Sequence, residues 1–428
     1  MATSPIKLFR GHQILSTLAV GLLLSSAALG QEASWGEDKD DDAGSGPETA
    51  QRTRGSGKTE KVSGFLSSVS SFRSMSQDQE DLFIIWIANP ESFKASLRTV
   101  DNGSASFDSS LYLFTTDSAD VHELSQFTEV FGLLGVQDVD LLGAFLPGAA
   151  TDTTGAMITE PGYYMLAVSS ATRYPAVMLT GLPLPVFDFF VPNEVSGPDG
   201  DGGMSGFTEG EGVWEGTPAA GFYDIAVDGV GFAFPLRTPE NDVWPTNAYV
   251  DEGVWPIYTV MASTESQADV TCTSPDGDGR VLYEDLWWSY QPLEPGIVGV
   301  STCDSVDFDS AIAVYELMGL CIGDINSDGS VDVDDFSVLL TQWGSSGPEA
   351  DLDGDGMVDT TDFSIFLVYF GLCEPDLELV ACQDNAPGCT NGTSKVSFST
   401  DGTETFVIRI GGAEAGDRGR GTFRVGYE

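Results

Sequence analysis

The sequence predicts a mainly β protein with two β-sandwich domains and one small helical module. Three observations predict this fold. From about residue 62 the chain runs in short segments rich in β-branched and aromatic residues, separated by Gly, Pro, Asn and Asp, as in an all-β sandwich. The order of these segments repeats in the second half of the chain. Helical periodicity is confined to two short segments in the last third and to residues 119–134.

The N-terminal 30 residues are predicted to be a secretory signal peptide. Lys7 and Arg10 precede an apolar stretch at 14–24, and small residues at 28–30 suit cleavage. The apolar stretch is shorter than the roughly 18 residues of a membrane-spanning helix. Residues 31–63 are rich in Gly, Ser, Glu, Asp and Lys and predict a disordered acidic linker. The sequence therefore predicts a secreted, extracellular protein.

The formal charge of −48 excludes two classes of partner. Nucleic acids and anionic membranes bind basic patches, whereas this chain has 66 Asp and Glu against 18 Lys and Arg. No segment after the signal peptide is apolar enough to span a membrane. We therefore expect neither nucleic acid nor a membrane span.

Catalytic motifs are scarce. Beyond the signal peptide the chain has one histidine, His122, which excludes two-histidine zinc sites and leaves a Ser-His-Asp triad dependent on one residue. Paired carboxylates support glycoside hydrolysis, but no pair stands out among the 66 acidic residues. We assign no catalytic residue, and the sequence favours a non-catalytic protein.

The β segments form two related sets. Residues 80–83 (Glu-Asp-Leu-Phe) are echoed by residues 284–287 (Glu-Asp-Leu-Trp), and further pairs follow in the same order, which indicates one β-domain used twice. The helical module interrupts the second set. Such an insertion is tolerated at an exposed loop tip. The predicted domains are the signal peptide at 1–30, the linker at 31–63, the first sandwich at 64–235, the second sandwich at 236–320 and 374–428, and the inserted module at 321–373.

Two twelve-residue acidic loops, 324–335 and 351–362, have the spacing of calcium ligands. An EF-hand loop supplies oxygens from positions 1, 3, 5, 7, 9 and 12 and has Gly at position 6, and both loops satisfy this pattern. They lie 27 residues apart, so the module is an internal duplication. The sequence predicts two Ca²⁺ ions, held by Asp324, Asn326, Asp328, Ser330, Asp332 and Asp335, and by Asp351, Asp353, Asp355, Met357, Asp359 and Asp362.

Each loop continues into one short helix with apolar residues at i, i+3, i+4 and i+7, which Gly344 or Gly371 ends. A calcium loop with a single exiting helix, duplicated within about fifty residues, resembles the type I dockerin domain. Dockerins bind cohesin modules, so the resemblance implies docking to a cohesin-like or other extracellular protein module. It implies partner contacts at Val333, Asp334, Leu340 and Thr341 in the first copy, and at Thr360, Thr361, Leu367 and Val368 in the second.

The sandwich pattern resembles the bacterial pre-peptidase C-terminal domain, a jelly-roll-like sandwich of secreted proteins. The residues that carry the resemblance are 285–288, 298–303 and 307–315 before the module, and 379–385, 394–398 and 406–412 after it. This resemblance implies that the module interrupts one continuous sandwich, and that the upstream sandwich is related to it.

The six cysteines of an exported chain indicate disulfides, and six cysteines permit fifteen pairings. Their positions favour one pair around the module and one around a short turn, with two cysteines remaining. In chain order these are Cys321 with Cys373, Cys382 with Cys389, and the remaining Cys272 and Cys303.

Three functions stay open at the level of sequence. The leading one is a secreted, calcium-binding, non-catalytic scaffold or adhesion protein that docks through its module. The alternatives are an accessory carbohydrate-binding component and a glycoside hydrolase of an extracellular polysaccharide-degrading system, since dockerins are commonly attached to such enzymes. Trp214 and Trp255 are candidates for stacking on sugars.

Overall fold

The computed structural model shows a mainly β molecule, which confirms the predicted fold class. Both α-helices of the described residues lie in one module near residue 350. The structure describes residues 34–37, 43–47, 49–67, 79–116, 130–137, 143–189, 191, 193–203, 212–236, 239–244, 247–264, 272–273, 279–280, 282–318, 323, 325–326, 331–345, 347, 350–353, 356–371 and 376–428.

The N-terminal part is a two-sheet sandwich with a third sheet on one face. Its strands are β1 (Ser34–Gly36), β2 (Gln51–Arg52), β3 (Lys61–Leu66), β4 (Glu80–Ile87), β5 (Lys94–Ser96), β6 (Ser104–Ala105), β7 (Ser109–Thr116), β8 (Val130–Gln137), β9 (Phe145–Pro147), β10 (Gly162–Ser170), β11 (Arg173–Leu179), β12 (Leu182–Pro185), β13 (Val195–Ser196), β14 (Gly212–Gly216), β15 (Gly221–Asp228) and β16 (Val230–Phe232). The sheet orders are β1-β3-β15-β5-β9, with β6 beside β15; β13-β8-β7-β10-β4-β16, with β2 beside β4; and β12-β11-β14.

The C-terminal part is a second two-sheet sandwich. Its strands are β17 (Ala248–Val250), β18 (Gly253–Tyr258), β19 (Cys272–Thr273), β20 (Gly279–Arg280), β21 (Tyr283–Tyr290), β22 (Gly296–Ser301), β23 (Ser310–Met318), β24 (Asp376–Asp384), β25 (Lys395–Thr400), β26 (Phe406–Gly412) and β27 (Arg420–Tyr427). The sheet orders are β17-β21-β26-β23-β24 and β18-β27-β22-β25, with β19 and β20 forming a separate pair.

Nine strands of the two sandwiches correspond one to one in chain order. The order β8-β7-β10-β4, with β2 parallel to β4, matches β24-β23-β26-β21, with β17 parallel to β21. The facing sheets β3-β15-β5-β9 and β18-β27-β22-β25 match in the same way. Shared strand order in both layers is what an internal duplication produces.

The echo between residues 80–83 and 284–287 is not a structural equivalence. In β4, Asp81 points into the core between the sheets, where the Tyr223 hydroxyl donates a hydrogen bond to it. In β21, Leu286 faces the corresponding core, so Asp285 lies on the opposite face. The register of β21 shifts before Leu286, and a one-residue shift moves every side chain to the other face.

The helix predicted at 119–134 is wrong where the structure describes it. Strand β8 begins at Val130 and pairs antiparallel with β7 over most of its length. Gly135 allows this packing, because a Cβ atom there would lie 2.9 Å from the Tyr112 ring. Pairing with a buried neighbour has overridden the weak local helical pattern. Residues 119–129 lie outside the described residues.

The helical module lies in the connection between two paired strands. Strands β23 and β24 pair antiparallel from Ala311 opposite Asp384 to Met318 opposite Asp376. The connection contains α1 (Val333–Gln342) and α2 (Thr360–Tyr369). Both ends of the module therefore leave from adjacent strands of one sheet.

One disulfide joins Cys303 to Cys389, with their Cα atoms 5.1 Å apart. The predicted pairing of Cys382 with Cys389 is therefore wrong, although Cys382 is also disulfide-bonded. Cys382 lies within β24, whereas Cys389 follows that strand and lies beside the end of β22. There Asp304 accepts a hydrogen bond from the Thr390 amide at 2.7 Å. Cys321 and Cys373, and the side chain of Cys272, lie outside the described residues.

The two sandwiches share a packed interface. Trp86 and Ala88 of the first belong to the core of the second. The Trp86 indole donates to the Val254 carbonyl at 2.6 Å, and the hydroxyls of Tyr163 and Tyr258 lie 2.6 Å apart. Neither predicted tryptophan candidate is an open platform. Trp255 is buried in the core of the second sandwich. Trp214 is partly buried against the outer face of the first sandwich, where its indole donates to a backbone carbonyl.

Candidate metal centre

In each acidic loop, backbone amides from both ends of the loop donate hydrogen bonds to the aspartate at position 12. Asp335 is fully buried and accepts hydrogen bonds from the amides of Ile325 and Asn326 at 2.7 and 2.9 Å on Oδ1. Its Oδ2 accepts from the Asp332 amide at 2.9 Å. One carboxylate thus joins loop positions 2, 3 and 9 to position 12, which closes the loop.

The second loop repeats this arrangement atom for atom. Asp362 is fully buried, and its Oδ1 accepts from the amides of Leu352 and Asp353 at 2.7 and 3.2 Å. Its Oδ2 accepts from the Asp359 amide at 2.7 Å. Burial raises the pKa of Asp362, but these amide donors outweigh it and the net pKa is lowered. The carboxylate is therefore charged at neutral pH and available to a cation.

Three carboxylates converge in the second loop. Asp351, Asp353 and Asp362 each offer an oxygen, and these oxygens lie within 4.8 Å of one another. Atoms bound to a common Ca²⁺ lie about 2.3–2.6 Å from it, so such ligands are separated by up to roughly 5 Å. The Gly356 amide donates to Asp351 at 2.8 Å, which holds the turn at position 6. The donor set, all oxygen and mostly anionic, fits a hard divalent cation.

Of the other predicted ligands, four lie among the described residues and four do not. Asp359 caps α2 by accepting from the Thr361 amide at 2.7 Å, so it orients the helix as well as the loop. Met357 has an exposed side chain, as expected where only the backbone carbonyl serves as a ligand. Asn326 and Asp332 lie at their loop positions beside Asp335. Four predicted ligands lie outside the described residues, namely Asp324, Asp328, Ser330 and Asp355.

The two loops are joined to one another through the helix ends. The Gly344 amide, after α1, donates to the carbonyl of Val358 in the second loop at 2.8 Å. The Gly371 amide, after α2, donates to the carbonyl of Val331 in the first loop at 2.9 Å. Each glycine has a positive φ, 75° and 71°, which suits a residue that ends a helix in the left-handed conformation. The sequence predicted these glycines only as helix ends, because a cross-connection leaves no local signal.

A small apolar core lies beneath the loops. Val331 and Val358, both at position 8, are buried with Leu339 and Phe366 from the two helices. Phe336 and Phe363 pack against it with their ring centres 5.6 Å apart. Because the residues at corresponding positions meet, each copy completes the core of the other.

The positions that the family resemblance implied for partner contacts are mostly exposed. Leu340, Leu367 and Val368 are 52%, 55% and 63% exposed, and Val333 is 64% exposed. The side chains of Thr341, Thr360 and Thr361 are also exposed, whereas that of Asp334 lies outside the described residues. Contiguous apolar patches on a protein surface commonly mark a contact with another molecule.

Residues 322–370 match the family model of the type I dockerin domain. This match confirms the predicted module and supports calcium-dependent protein docking. The dockerin covers only a small part of the chain, and no curated protein matches the sequence. No family model supports the resemblance of the sandwiches to the pre-peptidase C-terminal domain.

Proposed function

We propose that this is a secreted, non-catalytic scaffold or adhesion protein that its dockerin joins to a cohesin-like extracellular module. The observation that carries the proposal is the duplicated loop with its buried aspartate, Asp335 or Asp362, fixed by three amides. The dockerin match supplies the protein-docking role. The two sandwiches serve in this proposal as a rigid body that carries the module at the tip of β23 and β24.

The proposal includes two Ca²⁺ ions, one in each loop. Carboxylates that converge as Asp351, Asp353 and Asp362 do repel one another, and a bound cation relieves that repulsion. In the first loop, backbone amides donate to Asp335 as they do to Asp362 in the second loop. This likeness supports a Ca²⁺ site in the first loop as well. In the proposed assembly, calcium orders both loops and thereby presents the two helices to the partner.

Localisation outside the cell is part of the same proposal. A dockerin acts on an extracellular partner, and millimolar calcium there would load even weak sites. Among the residues that the structure describes, no helix has the length and hydropathy to cross a membrane. The proposed signal peptide, residues 1–30, lies outside them. N-terminal sequencing of the exported protein tests it, with a start at Gln31 as the expected result.

The carbohydrate-binding and glycosidase alternatives receive no support from a specific site. All eight tryptophans lie in the described residues, and only Trp343 is among the exposed large apolar side chains. Trp343 belongs to the dockerin, so it does not provide a sugar platform on the sandwiches. His122 lies outside the described residues. The scaffold role is therefore the better supported proposal.

Calorimetric titration of the chelator-treated chain with CaCl₂ tests the two-ion proposal. A control variant has residues 319–375 replaced by a short Gly/Ser linker. The full chain should bind two more Ca²⁺ ions per molecule than this variant. Asp351→Ala should reduce this difference to about one, because it removes the first ligand of the second loop. Glu91→Ala, a change at an exposed acid outside the module, should leave it unchanged. Equal stoichiometry with and without the module would contradict the proposal.

The aspartates at position 12 provide a sharper test. Asp335→Asn and Asp362→Asn keep the size of the side chain but replace one acceptor oxygen by an NH₂ donor, so the side chain can no longer accept from the amides on both of its sides. Each change should weaken calcium binding at its own loop by roughly 10–100-fold, as loss of groups that orient metal ligands does. Titration of both variants measures this. Unaltered affinity would show that loop closure does not govern binding.

A further inference from the structure

The dockerin lies within a long stretch of sequence in which every charged side chain is acidic. Between Arg280 and Lys395 the sequence has no Lys, Arg or His. Residues 322–372 contain eleven Asp and Glu, so two bound Ca²⁺ would still leave a formal charge of −7. Calcium loading therefore does not neutralise the module. A partner that approaches it therefore meets a negatively charged module.

The strands that carry the dockerin add a like-charged pair. Glu316 of β23 and Glu378 of β24 lie directly opposite one another in the antiparallel register. Like charges in this relation destabilise a strand pair. Within the described part of the chain, neither glutamate is within salt-bridge distance of a basic group. Seven residues along the chain lead from Glu316 to Gly323 and from Gly371 to Glu378, so the pair lies within about 25 Å of the described part of the module.

The helices beside this charge expose apolar side chains. Leu340 and Leu367, at the same position of the two copies, are 52% and 55% exposed, and Val368 is 63% exposed. Neither helix has a basic residue in its last turn. The surface thus combines an apolar centre with acidic surroundings. Apolar burial supplies affinity at such a surface, while the charge of the surroundings selects the partner.

We infer that the dockerin takes a cohesin-like module whose docking face is apolar at its centre and rich in Lys and Arg at its rim, with rim cations meeting Glu316 and Glu378. This inference rests on the proposed docking function and adds the chemistry of the partner. An acidic face would bring like charges together across the interface, which disfavours binding. A basic rim instead neutralises the cross-strand pair that the chain itself leaves unneutralised.

Two purified cohesin modules test the inference, one with a Lys/Arg-rich docking face and one with an Asp/Glu-rich face. Both are measured against the full mature chain in 5 mM CaCl₂ by surface plasmon resonance, at about 50 and 300 mM NaCl. The basic module should bind, and its association rate constant should fall at least tenfold at the higher salt, because steering between opposite charges is screened. The acidic module should bind at least 100-fold more weakly.

Variants of the chain separate this inference from the docking proposal. Glu316→Gln with Glu378→Gln should slow association with the basic module about three- to tenfold and reduce its salt dependence. The control Glu91→Gln, at an exposed acid of the first sandwich, should change neither. Leu340→Asp with Leu367→Asp should abolish binding while calcium stoichiometry is retained. Preference for the acidic module would overturn the inference alone. Failure of both modules to bind the calcium-loaded chain would overturn the docking proposal as well.

Discussion

The central sheets of the two sandwiches have the same strand order, but their outer faces are covered differently. In the first, the sheet of β11, β12 and β14 covers apolar side chains of β4 and β10. In the second, Arg409 of β26 lies 4.7 Å over the Trp287 ring and donates to Asp285 at 2.7 Å. Both charged side chains are fully buried. The inner faces thus determine the shared strand order, while the outer face permits unrelated solutions.

Breaking the buried ion pair should produce the largest effect. Arg409→Leu leaves Asp285 charged and buried, and such a change costs about 3–5 kcal/mol of the free energy of unfolding. Urea unfolding measures the loss, and hydrogen exchange in β21 and β26 shows whether it is confined to the second sandwich. The double variant Asp285→Leu with Arg409→Leu should recover most of it, because no charge is then buried alone. A loss below 1 kcal/mol in the single variant would show that water reaches the pair.

The first sandwich offers a matched but more exposed pair. Arg173 donates to Glu80 at the edge of the outer face, where its side chain is 13% exposed and that of Glu80 is 5% exposed. Arg173→Leu should cost about 1–2 kcal/mol, because water can replace part of the lost interaction. The same urea measurement compares it with Arg409→Leu. Equal losses would mean that the two outer faces depend on their ion pairs to the same extent.

The sequence predicted the fold class and the calcium loops because both depend on short periodic patterns. Alternating apolar residues and ligand spacing are local signals, so the strands and loops 324–335 and 351–362 were readable. The face of Asp285 was not readable, because a register shift in β21 reverses sides without any change in composition. The Cys303–Cys389 disulfide was not predictable from the sequence either, because it depends on how strands that are distant in sequence pack together.

Removing the dockerin should have the smallest effect on the sandwiches. Replacement of residues 319–375 by a short Gly/Ser linker keeps β23 and β24 intact, and these strands pair with each other and with β26. The free energy of unfolding of the second sandwich should change by less than about 1 kcal/mol, as for most changes at exposed loops. Protection of Ile408 and Ile410 against hydrogen exchange measures it. An unfolded second sandwich would show that the dockerin is part of its core.

The position of the dockerin on adjacent strands has a mechanical consequence. A pull on the docked partner enters the sandwich along the axes of β23 and β24, both at the same end of the sheet. Strand β23 is registered with β26 over seven residue pairs, from Ser310 to Glu316. Tension along a strand strains these hydrogen bonds together, in shear, whereas tension across it would open them one after another. The attachment therefore resists load through several hydrogen bonds that share the force, which would suit the proposed scaffold role.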